Sequence, residues 1–364
     1  MVNGTLSSGQ TLRSGHPYHM HDAIYAQPGA LRLLTRGQDG ALAAAAARLA
    51  EAPHVWLAGI GSSWHAALVG ELLFARVGGL GPRARAVHGF ELVHSWPDLG
   101  RGAAVVAVTH RGANRDIAEA VARATAAGGS AVAVTGKGGD GPAGAEPTLR
   151  TVEQEASGTH TVSYTTALAM LAALAAAIGH DDAVARQLDG LPDLLAMLLG
   201  QEAWEDLAAR FGGRRRYWVV GAGANTATAL EAALKLNEAA WIPAIGLNAE
   251  QFLHGPWAAV EPDDAVFVIA PPGPAHSRCR DAARVAAGIG ASVVALIAED
   301  DREIAPLAAE TIALPPVPEL LSPITAIVPL QLLSYHLAVQ AGANPDTVRA
   351  DQSGHGRARA AVAP

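Results

Sequence analysis

The chain has 364 residues, about two domains' worth, half of them apolar but only 5% aromatic, with 39 glycines; a core of so many small side chains favours closely packed helices and strands in a regular α/β protein. Its formal charge of −8 offers no basic field to a nucleic-acid backbone or an acidic membrane surface. The single cysteine, Cys279, excludes an internal disulfide framework and a cysteine-rich zinc site, and fits a reducing cytoplasm.

The N-terminal segment, residues 1–40, has no apolar stretch of signal-peptide length. His16, His19 and His21 lie around Pro17 without acidic or thiol partners suited to a metal, so no metal site is expected there. A first domain is predicted over 41–180. Its first strand begins at Val55 and runs into Gly59-Ile60-Gly61-Ser62-Ser63. A helix starting there would turn free N–H groups and its dipole towards an anion, or the glycines make a tight turn and nothing more. Trp64 stands where a dinucleotide fingerprint requires its third glycine. The strand Ala104–Thr109 is followed by His110-Arg111-Gly112-Ala113-Asn114, a set that either grips an anion, with Arg111 as a two-pronged donor, or is a solvated loop. After a strand at Ala131–Thr135 comes a Pro- and Gly-rich loop, Gly138–Pro147. The apolar run Ala167–Ile178 is too short for the roughly 20 residues that span a bilayer and is read as a buried helix.

Residues 181–210 are expected to form a helical connector to a second domain at 211–340. That domain repeats the first: at a shift of 162, Trp56 matches Trp218, Gly59 matches Gly221, Gly61 matches Gly223 and Leu68 matches Leu230. Strands at Ala265–Ala270 and Ser292–Ile297 recur at nearly the same shift. Apolar strand runs alternating with Ala-rich helical stretches argue for parallel sheets covered on both faces, whose ligands sit beyond the carboxyl ends of the strands. A helix predicted over Ala227–Trp241 carries Glu231, Lys235 and Glu238 on one face among apolar neighbours. The stripe is either a surface ion-pair row or a site in which a poorly solvated carboxylate serves as a general base. His254, before Gly255-Pro256, is either structural or able to reach a ligand. The tail, 341–364, is polar and Arg-rich without an apolar period, and reads as a flexible end or a lid.

Together these segments resemble the sugar isomerase (SIS) family, and within it the isomerase half of the glucosamine-6-phosphate synthases. The most specific part is Ala229–Pro256, ALEAALKLNEAAWIPAIGLNAEQFLHGP, which is similar to the family's ALEGALKLKE…ELKHGP block at the same spacing. The resemblance implies two tandem SIS domains, each a five-stranded parallel sheet with helices on both faces, in a homodimer with an active site shared between subunits. It places Glu238 as the base that moves a proton between C1 and C2, Lys235 beside it, and His254 as the ring-opening histidine. Ser62 and Ser63 fall on one anion-binding turn, with Gly61 beside them. Thr109, His110, Arg111 and Asn114 fall on another, and Arg349 adds a substrate contact. The family's Schiff-base lysine falls at Ser353, and the chain has only Lys137 and Lys235. No glutaminase-like stretch precedes the isomerase-like portion, so glutamine is not expected as direct nitrogen source. The expectation is a cytoplasmic aldose–ketose isomerase for a six-carbon sugar with a terminal anion, without metal or organic cofactor and without nucleic-acid or membrane partners. An amino-sugar phosphate deaminase and a non-catalytic sugar-phosphate sensor are the alternatives.

Overall fold

Among the described residues, the short apolar runs form ten strands in two sheets, and every strand pair is parallel. The computed structural model describes residues 11–96, 98–112, 114–201 and 203–362; the first ten residues, Ala113 of the second predicted anion turn and the last two residues of the tail lie outside that range. The first sheet comprises β1 (Val55–Gly59), β2 (Ala84–His88), β3 (Ala104–Thr109), β4 (Ser130–Thr135) and β5 (Thr148–Arg150), in the order β2-β1-β3-β4-β5. The second comprises β6 (Tyr217–Gly221), β7 (Ala244–Asn248), β8 (Ala265–Ala270), β9 (Ser292–Ile297) and β10 (Glu310–Ala313). Its order, β10-β9-β8-β6-β7, is the same order read from the opposite edge, so the repeat in the sequence is a repeat of topology.

Strands β1, β3, β6 and β8 are buried at every position, because helices cover both faces of a parallel sheet; this is why they read as unbroken apolar runs rather than alternating ones. The repeated tryptophans occupy equivalent core positions. Trp56 Nε1 donates to the Leu99 carbonyl at 2.8 Å and Trp218 Nε1 to Asp264 Oδ2 at 3.0 Å, so neither buried indole goes unsatisfied.

Among the described residues, 26–155 and 160–193 form one compact unit, and 11–25, 156–159 and 194–362 form the other. Each has one long apolar helix, Val162–Gly179 in the first and Ser322–Gln340 in the second. Both are long and apolar enough to cross a bilayer, but 83% and 89% of their apolar windows are buried inside the fold, which makes them core helices. The predicted connector consists of helices Asp182–Leu199 and Trp204–Phe211.

The beginning of the tail is packed. Ala343, Asp346 and Thr347 are buried. Asp346 accepts from the His19 and Met20 N–H groups, both at 2.9 Å, at the start of helix His19–Tyr25. Its carbonyl accepts from Gly158 N–H at 2.7 Å, and Thr159 Oγ1 donates to the Pro345 carbonyl at 2.7 Å. Polar ties rather than an apolar stripe hold this stretch, and a helix follows at Ser353–Ala361.

Candidate functional site

In the first unit, polar side chains gather at the carboxyl ends of the strands. Gly61, in the left-handed region at φ 61°, turns β1 into helix Ser62–Arg76. Having no side chain, it leaves the first helical N–H groups without a side-chain cap. Ser62 and Ser63 line a small cleft with Thr109 and His110 from the end of β3, Thr135 from the end of β4, Thr151, His160, Ser163 and Tyr164. The start of helix Val162–Gly179 is closed by Glu155, whose carboxylate accepts from Thr161 N–H at 3.0 Å and Ser163 N–H at 2.7 Å.

His110 sets the polarity of this cleft. Burial, then the neighbouring His160 ring at 5.0 Å between centroids and the Arg111 guanidinium, push its pKa down to about 4 against the opposing pull of Glu155, so the ring is neutral at pH 7. Nε2 accepts from the Glu155 N–H at 3.1 Å, which puts the proton on Nδ1. That Nδ1 is buried and has no hydrogen-bond partner among the described residues. An orphan N–H beside hydroxyls and a helix N-terminus makes the cleft a collection of donors, suited to an anion.

In the second unit, helix Asn225–Lys235 continues into a π-turn, Leu236–Ala240, that ends at Trp241 with φ 58°. Such turns are rare and recur at functional sites. Glu231 and Lys235 are sealed, with side-chain exposures of 0% and 1%, whereas Glu238 keeps 24%. Lys235 Nζ lies 2.7 Å from Glu238 Oε2 and 3.3 Å from Glu231 Oε1. Burial alone would lower the lysine pKa, but the two carboxylates outweigh it and raise it, so the ammonium is permanent at working pH. Glu238 faces a cavity of about 430 Å³, shared with Asn237, Trp241, Ile242, Pro243, Val348, Arg349 and His355. The Arg349 guanidinium stacks 4.8 Å from the Trp241 ring centre and donates through Nε to Gln352 Oε1 at 2.9 Å.

The predicted residues are therefore brought together in two groups, Ser62, Ser63, Thr109 and His110 in the first unit and Lys235, Glu238 and Arg349 in the second. Arg111 is exposed and does not line the first cleft. Asn114 accepts from Ile117 N–H at 3.1 Å, capping helix Arg115–Ala126. His254 is exposed at 67%, with Nδ1 3.1 Å from the Glu250 carbonyl, and does not line the Glu238 cavity. Thr135, Thr151, His160, Ser163, Tyr164, Trp241 and His355 also line these two places and are not among the site residues expected from the sequence. The rule that ligands sit beyond strand ends pointed to Thr135 and Thr151; the tail, with no periodicity, held no signal for His355.

The SIS domain family profile matches this chain twice, over residues 48–178 and 213–341. Relatives include the glutamine–fructose-6-phosphate aminotransferases (isomerizing) of Thermococcus kodakarensis, 33% identical over 350 residues, and of Pyrococcus horikoshii, 33% over 346. Each alignment takes in 93% of this chain, but the chain spans only 58% and 57% of those proteins. Among solved structures, tagatose-6-phosphate ketose/aldose isomerase from Escherichia coli has the same fold, with a TM-score of 0.79 at 19% identity over 92% of this chain and 96% of that one. The C-terminal domain of glucosamine-fructose-6-phosphate aminotransferase from Francisella tularensis also scores 0.79, at 18% identity over 91% of this chain and 99% of that one. With both repeats matched and both sheets built in the same strand order, this chain belongs to the SIS domain family.

Proposed function

We propose that the chain is an aldose–ketose isomerase acting on a six-carbon sugar with a terminal anion. The observation that carries this reading is Glu238, a carboxylate fixed at 2.7 Å from a sealed ammonium and still facing an open cavity. Isomerisation needs a base that takes a proton from one carbon and returns it to the next. Held by Lys235, Glu238 loses little freedom when substrate arrives, and the permanent ammonium supports the negative charge that develops on the enediolate oxygens. The anion is held in the donor-rich cleft by Ser62, Ser63, Thr109 and His110, with the exposed Arg111 attracting it at longer range. Asn114 supports that turn as a helix cap. The relatives' names, an isomerizing aminotransferase and a ketose/aldose isomerase, support the reaction class.

His254 is the ring-opening group in this reading. Its exposure suits service to a neighbouring subunit in a homodimer of the cytoplasm. The test is a panel of hexose and hexosamine 6-phosphates and 6-sulfonates, followed by NMR in deuterated water and by an assay for ammonia. Interconversion with solvent deuterium entering the product carbon is expected. Ammonia release would make the protein a deaminase, and saturable binding without any turnover would make it a sensor. Sedimentation of the active species checks the dimer.

A further inference from the structure

The cavity beside Glu238 has a second wall, built from the tail. Val348 and Arg349 are consecutive non-glycine residues at φ 48° and 62°, and Trp241, which lines the same cavity, is a third at φ 58°. Such conformations are strained for residues with a side chain and concentrate at functional sites. The tail is tied in this shape. Thr347 Oγ1 donates to Asp351 Oδ1 at 2.7 Å, Arg359 Nη1 reaches back to the Thr347 carbonyl at 3.2 Å, and Gly356 N–H bonds the Gln352 carbonyl at 2.8 Å. The result is a helix, Ser353–Ala361, whose third residue, His355, lines the same cavity as Glu238. The Trp241 Nε1 is buried without a hydrogen-bond partner among the described residues, leaving an indole donor for a sugar hydroxyl. At about 430 Å³ the cavity is within the range of small-molecule sites.

An enediol mechanism moves two kinds of proton, one between carbons and one between oxygens. Lys235 is poorly suited to the second task, because it is sealed and clamped by two carboxylates. Asn237, Trp241, Val348 and Arg349 do not exchange protons near neutrality, whereas imidazole does. Resting on the isomerase reading above, we infer that His355 is a second catalytic residue, the acid and base that carries the hydroxyl proton between O1 and O2 while Glu238 carries the carbon proton.

The steps balance. Glu238 takes the proton from C2 of the open-chain aldose. The C–H electron pair forms the C1–C2 double bond, and the carbonyl π pair moves to O1, which takes a proton from the His355 imidazolium. Neutral His355 then removes the O2 proton. The C2 carbonyl forms, and the double-bond pair takes the proton back from Glu238 at C1. Both side chains end as they began, and no outside oxidant or reductant is required.

The test uses the whole chain with the sugar that the panel identifies. His355→Ala and His355→Gln are expected to lower kcat by about 10²-fold while KM stays within about threefold, the pattern of lost proton transfer rather than lost binding. Free imidazole is expected to restore His355→Ala, where a space is left, and to do little for His355→Gln, where the space is filled. Imidazole rescue is a readout that a merely structural tail residue does not give. Variants that keep wild-type kcat, or that lose kcat without any response to imidazole, would overturn the assignment while the isomerase reading stands. A wild-type protein that interconverts none of the sugars would sink the isomerase reading and this assignment with it.

Discussion

In the first unit, the turn after β1 opens onto a cleft of hydroxyls and an imidazole; in the second, the turn after β6 meets the carboxylate of Glu319. The backbones are alike. Gly61 and Gly223 both take a positive φ, 61° and 55°. What differs is the side chains at the strand ends. Thr109 and Thr135 end β3 and β4, whereas Ala270 and Ile297 end β8 and β9. The second cleft is lined by Ala222, Ala270, Pro271, Gly273, Ala275, Cys279, the chain's own Glu319 and His276, whose ring nitrogen is already engaged by Asp301 at 2.6 Å, and a side chain added at Gly223 would collide with the Glu319 carboxylate. A helix N-terminus with a glycine turn attracts negative charge in both copies. In one copy the donors face a cleft, which in the proposed function takes the sugar's anion, and in the other the chain supplies a carboxylate of its own. The second unit offers its chemistry instead on the helix that leaves β6, through Glu231, Lys235 and Glu238.

The sharpest way to test this division is to remove the base without touching the cleft. Glu238→Gln preserves size and hydrogen bonding, so turnover is expected to fall by about 10² to 10⁴-fold with binding of the anionic sugar retained. Steady-state kinetics with calorimetry on the variant checks both halves. A loss of binding as large as the loss of turnover would mean that Glu238 holds the substrate rather than reacting with it.

Next in size is a stability effect confined to the second unit. Lys235→Met leaves two carboxylates without their cation, one of them fully buried. Breaking a buried ion pair from one side typically costs about 3–5 kcal/mol. Denaturant unfolding is expected to show a loss of that order, and adding Glu231→Gln should recover part of it. Additive losses would show that Lys235 and Glu231 do not act as a pair.

Much of this division was legible in the sequence. Strands buried on both faces read as continuous apolar runs, and a charged stripe on an otherwise greasy helix is conspicuous because burying it unpaired is so costly. The 162-residue repeat exposed the two copies. Other features were hidden for physical reasons. The π-turn after Lys235 carries helix-compatible residues, so nothing local distinguishes it from an α-helical end. The tail is fixed by Asp346 and by carbonyl contacts, which leave no hydrophobic period. Residue type alone cannot tell an anion ligand from a helix cap, and at Asn114 the structure shows the cap. Nor can it show that the second glycine turn is filled by a residue nearly a hundred positions away.

The first cleft is tested by its imidazole. His110→Phe keeps a ring in the site but deletes the orphan Nδ1–H, and a hydrogen bond to a charged group contributes about 1.5–3 kcal/mol, so KM should rise roughly tenfold or more with kcat little changed. The variant also has a pH signature. The His110 pKa is lowered from an ordinary 6.5 to about 4, so between those values the unfolded chain binds the extra proton. The stability that this neutral ring permits is present above about pH 6.5 and is lost as pH falls towards 4. Unfolding measured at pH 7 and pH 5 should therefore show a shallower acid-side loss in His110→Phe than in the wild type, and equal losses would mean that the ring titrates normally.

The smallest effect is expected at Arg111, and it separates a donor inside the cleft from a charge outside it. The guanidinium is exposed and does not line the cavity, so it acts on an approaching anion through water. Removing it with Arg111→Ala should raise KM by about two- to threefold at low salt, and the difference should fade as ionic strength rises past 0.1 M, where the screening length is about 10 Å. His110→Phe, by contrast, should keep most of its penalty in salt, because a buried hydrogen bond is screened little. Measuring both variants across a salt series with a 6-phosphate and a 6-sulfonate sugar makes the comparison direct. If Arg111→Ala costs more than His110→Phe and the cost persists at high salt, then the guanidinium folds over the bound anion as a direct two-pronged ligand, and the donors of the cleft are secondary to it.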